Sequence, residues 1–205
     1  ELDDTNARSL LEKCEQWIAS CTESLNEYLW TISTGDNVND AMNDAVASIG
    51  EQLSSRLFAY CGQAIGLNTE WVNARNIIKT DSDYGQANPI LDKIGSNVSQ
   101  ISKLLSQGTI PVMGGYYGED EHGKITTLGF EGSDFSASLV GSALNAEAIE
   151  IWTDVSGIYT CDPRIVEDAY PIAQLSFREA TELAYFGAKV LHPSTMNPAE
   201  EKQIP

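Results

Sequence analysis

Stretches with the three-and-four apolar spacing of an amphipathic helix alternate along this chain with short apolar runs bounded by turn-forming residues, and that alternation restricts the fold more than any other feature. Apolar residues fall at Leu10, Leu11, Cys14, Trp17, Ile18, Cys21, Leu25, Tyr28, Leu29 and Ile32, which predicts a helix broken at Ser33 to Asp36. A second helix is predicted over 45–65, with Val46, Ile49, Leu53, Leu57, Cys61 and Ile65 facing inward and Gly66 just past its end. Strands are predicted at 69–74 and 109–113, separated by a polar surface excursion at 79–89 and a third helix that carries Ile94, Val98, Ile101, Leu104 and Leu105 and ends near Gly108. Residues 114–128 read as a hairpin connection with its tip at Glu119 to Gly123. A helix at 133–144, strands at 148–153 and 157–160, and a helix opened by the Ser176/Glu179 capping box complete the pattern. Helices alternating with short strands predict an α/β chain whose sheet is parallel or mixed and covered on both faces.

With 205 residues, 42% of them hydrophobic, the chain is long enough for one substantial core and too short for several. Its 12 basic and 30 acidic residues give a net charge of −18, which argues against nucleic acid or an anionic membrane as partner. The four cysteines (Cys14, Cys21, Cys61, Cys161) form no C-x-x-C pair, and the histidines are His122 and His192 alone, so zinc-ligand spacing is missing and no metal site is expected within the chain. Reduced thiols are expected, with Cys14 and Cys21 packing on one helix face beside Trp17. No apolar run reaches the length of a membrane span and no signal peptide is expected, which points to a cytoplasmic protein.

Three segments carry chemistry. IWTDVSGIYTCDPR, from Ile151 to Arg164, places a Thr-Asp pair just beyond an apolar run, where open α/β sheets put their ligands. TTLGFEGSDFSASL, from Thr126 to Leu139, is a glycine-bearing turn entering a helix, able to direct free N–H groups at an anion. On its own it reads more readily as an ordinary loop. YFGAKVLHPST, from Tyr185 to Thr195, holds one lysine in an apolar, glycine-flanked setting. There is no P-loop and no protein-kinase signature set.

In order and spacing, these three segments resemble the aspartokinases, within the amino-acid kinase family. The resemblance implies a three-layer αβα sandwich with a mostly parallel central sheet, incomplete at both ends. It also implies that residues 1–205 are a single catalytic-domain fragment, with 1–108 mainly helical on the substrate side and 109–205 carrying the substrate turn and the nucleotide part. The family's K-F-G-G strand and its C-terminal regulatory domains are expected to lie outside the chain, leaving the bare fragment inactive. The implied activity is ATP-dependent phosphorylation of the side-chain carboxylate of L-aspartate, with Mg²⁺, in a protein that forms a homodimer.

Residue by residue, the resemblance assigns Gly132, Ser133 and, from the Ser48-Ile49-Gly50-Glu51 turn, Glu51 to the amino-acid substrate. Glu51 is otherwise a plain solvated helix residue. Thr153, Asp154, Tyr159, Arg164, Lys189 and Val190 are assigned to the nucleotide, Lys189 also as the catalytic cation and Asp134 as a catalytic organiser. His192 is given no role. One departure matters: the family's substrate turn usually reads G-R-x-G-S-D, and the arginine position is Phe130 here. A phenyl ring cannot replace a guanidinium fork, which keeps open a kinase acting on glutamate or acetylglutamate. A nucleotide-binding module without turnover is the third reading.

Overall fold

The computed structural model describes residues 4–35, 38–129, 131–162, 164–185 and 193–205. The chain divides into two compact units, residues 1–133 and 134–205.

The first unit opens with two long helices, α1 (Asp4–Thr34) and α2 (Asp40–Ala64), which pack on each other. Asn39 caps α2 by accepting the Met42 N–H at 3.0 Å, the usual role of a short polar side chain at that place. At its other end Gly66, at φ +87°, takes the left-handed turn, and the Leu67 N–H reaches the Gly62 carbonyl while the Gly66 N–H reaches Gln63. This is a Schellman ending, as the glycine predicted. Strand β1 (Thr69–Val72) then runs parallel to β2 (Ile110–Met113), with Thr69 opposite Ile110 and Val72 opposite Met113. The crossover between them holds α3 (Ala74–Ile77), α4 (Leu91–Asn97) and α5 (Ser99–Ser106). The predicted third helix is therefore two, divided at Val98, where three weak helix formers, Gly95, Ser96 and Asn97, precede a β-branched residue. Strands β3 (Tyr117–Glu119) and β4 (Ile125–Thr127) form the predicted antiparallel hairpin.

Two expectations for this unit change. The 79–89 stretch is not a free surface excursion. Thr80 and Ala87 are buried, Thr80 N–H donates to Glu119 and Ala87 N–H to Thr127, so the segment lies along the hairpin and satisfies its backbone there. The inward face of α2 is also a different one. Its buried residues are Ala41, Asp44, Ala45, Ser48, Ser55, Ala59 and Gly62, whereas Ile65 is 77% exposed. Small and polar residues let the helix approach the strands closely and bond to them, which the apolar stripe does not.

In the second unit α6 (Gly132–Leu144), whose first two residues belong to the first unit, is followed by a largely irregular stretch and by α7 (Phe177–Tyr185) and α8 (Pro193–Lys202). The predicted capping box is formed at α7: Ser176 N–H and Oγ–H both donate to Glu179 Oε2, and Glu179 N–H donates back to Ser176 Oγ. Residues 148–153 form no strand. A strand needs a neighbour for its row of N–H and C=O groups, and among the described residues only the Ile149 N–H of this stretch finds a backbone acceptor, the Pro205 carbonyl at 2.8 Å. Residues 157–160 reduce to a single bridge between Tyr159 and Pro171. Among the described residues, no helix is long and apolar enough to cross a membrane.

Candidate functional site

Helix α2 presents Asp44, Ser48, Glu51 and Ser55 at successive turns of one face. Asp44 is 4% exposed and has no cation against it among the described residues. Its carboxylate instead accepts the Thr127 N–H at 2.8 Å, the Thr127 hydroxyl at 2.9 Å and the Gly85 N–H at 2.9 Å. One helical face thereby ties together the end of β4 and the 79–89 segment.

Seven residues further along, Glu51 Oε1 accepts the Gly115 N–H at 3.1 Å, while Oε2 takes no hydrogen bond among the described residues. Ser55 donates to the Glu51 carbonyl at 2.7 Å and receives the Trp71 indole N–H at 3.0 Å. Trp71 in turn packs at a tilt against Trp17, ring centroids 5.5 Å apart, and the Arg56 guanidinium lies over both rings. The turn of α2 that carries Glu51 is thus held on its backbone as well as at its tip.

Gly114 and Gly115 leave β2 through a space that admits no side chain. A Cβ on Gly114 would fall 3.1 Å from Glu51 Cγ and 3.0 Å from Ser55 Oγ, and one on Gly115 would fall 2.7 Å from the Ser133 Cα. The backbone of Gly115 therefore passes between Glu51 and the start of α6. Next to it, Tyr116 N–H donates to the Gly132 carbonyl at 3.3 Å, Leu128 N–H donates to the Tyr116 carbonyl at 2.8 Å, and Gly132 N–H closes the turn onto Gly129 at 3.2 Å. Three predicted residues, Glu51, Gly132 and Ser133, thus meet around Gly115. Tyr117, beside them, is fully buried, and burial, reinforced by the Glu51 charge, pushes its phenol up to about 12.

Sequence reasoning missed Asp44, Tyr116 and Glu131. Asp44 was legible as a carboxylate seven residues before Glu51, with Ser48 between them. Tyr116 (φ +74°) and Glu131 (φ +56°) both occupy the left-handed region that L side chains avoid, and nothing in the sequence marks that.

In the second unit, Asp134 is half-buried in the first turn of α6, and burial raises its carboxyl. Thr153 and Asp154 are exposed; Thr153 donates to Asp154 at 3.2 Å and accepts the Val155 N–H at 3.2 Å. Tyr159 is half-buried at its bridge to Pro171. Arg164 forks onto Asp162 at 2.8 and 3.0 Å, and those hydrogen bonds hold the Asp162 carboxyl down at about 2. Phe130, Lys189, Val190 and His192 lie outside the described residues.

An α/β fold in which a helix-borne carboxylate faces a glycine turn at a helix start is, in this chain, that of a known class. The model of the amino acid kinase family matches residues 5–205, and the chain belongs to that family. Among curated relatives it is 39% identical over 166 residues to the lysine-sensitive aspartokinase 3 of Escherichia coli strain K12, covering 80% of this chain and 37% of that protein. It is 40% identical over 194 residues to the chloroplastic aspartokinase 3 of Arabidopsis thaliana, covering 92% and 34%. The crystal structure of E. coli aspartokinase III in complex with aspartate and ADP superposes with a TM-score of 0.85 at 34% identity, covering 93% of this chain and 42% of that one. The chain spans about a third of the length of the curated relatives it matches.

Proposed function

We propose that this chain carries the acceptor and nucleotide residues of an aspartokinase, which transfers the γ-phosphoryl group of ATP to the side-chain carboxylate of L-aspartate, giving L-aspartyl-4-phosphate and ADP. The observation that carries this reading is the meeting of Glu51, Gly132 and Ser133 around Gly115. It leaves one carboxylate oxygen of Glu51 for the substrate ammonium, next to the backbone amides that open α6. Relatives named aspartokinases, one of them solved with aspartate and ADP, agree with it.

The nucleophile in this reaction needs no general base. A carboxylate of pKa about 4 is ionised at neutral pH, so catalysis reduces to bringing two anions into line and offsetting the charge on the moving phosphoryl group. In this reading Lys189 supplies part of that charge, Arg164 and Thr153 hold the polyphosphate, Tyr159 lines the base and Asp154 and Val190 complete the nucleotide contacts. Asp134 orients lysine ammoniums or the substrate amine. Mg²⁺ bound to ATP would supply further positive charge to its phosphates, beside that of Arg164 and Lys189. The net charge of −18 opposes long-range attraction of either substrate, so affinity rests on these local contacts. The product enters lysine and threonine synthesis, in the cytoplasm.

The test is ADP release by the intact protein with ATP, Mg²⁺ and, separately, aspartate, glutamate and acetylglutamate. Turnover with aspartate alone, and a KM for aspartate raised at least about tenfold by Glu51→Gln, are expected. Turnover with another acceptor and not with aspartate would reject the reading, and phosphorylation of none would leave a binding module.

A further inference from the structure

Between Lys124 and Arg164 the sequence contains no lysine or arginine. The turn ahead of α6 therefore offers an incoming acceptor backbone amides and carboxylates, and no side-chain cation of its own. Within it, Glu131 is unusual in three respects. Its backbone sits at φ +56°, a strained place for any residue but glycine. Its Oε2 is buried and, among the described residues, takes no hydrogen bond. Among the described residues no basic side chain pairs with it.

A carboxylate oxygen withdrawn from water without a donor is unfavourable, and so is the backbone that holds it there. Both persist because the flanking backbone imposes them: Gly132 N–H is tied to Gly129, and Tyr116 N–H to Gly132. Those same bonds set Glu131 two residues from Ser133, whose Cα abuts Gly115, the residue that Glu51 holds. What the position lacks, among the described residues, is a cationic donor.

We infer that Glu131 is a specificity-determining residue whose Oε2 accepts a hydrogen bond from the α-ammonium group of the amino-acid acceptor. The inference rests on the aspartate-kinase reading and deepens it. An ammonium has three donors, enough for Glu51 and Glu131 together. The acceptor's α-carboxylate, by contrast, meets no side-chain cation from this turn. The site thus selects its acceptor by the amine more than by the second carboxylate.

Two small molecules separate these groups. β-Alanine is aspartate without its α-carboxylate; succinate is aspartate without its ammonium. Each is titrated calorimetrically against aspartate bound to the intact protein with ADP and Mg²⁺. β-Alanine is expected to compete at least about tenfold better than succinate, the discrimination that a charge-assisted hydrogen bond gives. Glu131→Gln, which keeps the shape and removes the charge, should lower that ratio at least about fivefold. A role confined to shaping the turn would move thermal stability and leave the ratio alone. An unchanged ratio in Glu131→Gln overturns the inference, as does tighter binding of succinate to the unsubstituted protein, a result that needs no variant to fold. Aspartate that fails to bind would instead remove the kinase reading and this inference with it.

Discussion

The acceptor corner and the 151–164 strip were both recognisable in the sequence, yet they are held in opposite ways. Around Glu51 the decisive hydrogen bonds join residues 64 and 83 positions apart, Gly115 to Glu51 and Thr127 to Asp44. In the strip the side-chain bonds among the described residues are local: Thr153 with Asp154, Val155 with Thr153, Arg164 with Asp162, and at most Tyr170 with Thr160, ten positions away. Trp152 is 89% exposed. Long-range bonds fix groups before a ligand arrives, which is the condition for electrostatic preorganisation. Local pairs satisfy a residue without placing it. Arg164 illustrates this, since its Nε and Nη2 donors turn to Asp162 two residues away.

The sharpest test of that contrast lies at the nucleotide end. Lys189→Ala in the intact protein should lower kcat at least about a hundredfold if its charge acts in the transition state, measured as steady-state ADP release at saturating aspartate. An unchanged kcat removes it from the mechanism. On stability the order reverses. Asp44→Asn replaces an oxygen that accepts two N–H groups or a hydroxyl with a donor, and should lower unfolding free energy by about 2 kcal/mol in urea at neutral pH. Asp162→Asn, in the strip, should leave the urea midpoint where it was. Equal losses at the two positions would break the comparison.

Smaller effects sharpen it. Glu131→Gly relieves a left-handed backbone and should stabilise the protein by about 1 kcal/mol, raising Tm by a few degrees while weakening aspartate binding. A pH series separates the two regions again. Burial would raise the Glu119 carboxyl, but hydrogen bonds from Lys79 and Arg75 outweigh it and hold it below the ordinary range. A depressed folded pKa means stability present above the unfolded value and lost as pH falls through the folded one. Glu119→Gln should therefore flatten the stability profile below about pH 4.5. Asp162 is lowered too, to about 2, but from an exposed pair that 0.5 M salt screens. Salt should erase its share and spare that of Glu119.

How far the sequence could be read follows from the same physics. The helices, the hairpin, the Gly66 ending of α2 and the Ser176/Glu179 box rest on short-range signals, and the structure contains them, with the third helix divided at Val98. The α2 face was misread because apolar periodicity finds burial only where burial is apolar. There the helix meets a hairpin, and Ala41, Ala45, Ala59 and Gly62 give proximity while Asp44, Ser48 and Ser55 give bonds. Residues 148–153 have strand composition, but a strand is a property of a pair, and among the described residues Ile149 alone finds a backbone partner. The residues proposed to bind the acceptor were visible through resemblance. Their tethers, and the strain at Tyr116 and Glu131, were not, because both are relations between distant parts of the chain.

Asp44 and Glu51 stand on one rigid rod, about 10.5 Å apart along its axis, and each grips a different arm of the same hairpin at its open end, Asp44 at the close of β4 and Glu51 just ahead of β3. Neither grip can loosen alone: a small roll of α2 stretches both together. Whatever leans on the exposed end of that helix, where Phe58 and Ile65 face outward, is therefore felt at the place where the acceptor would sit.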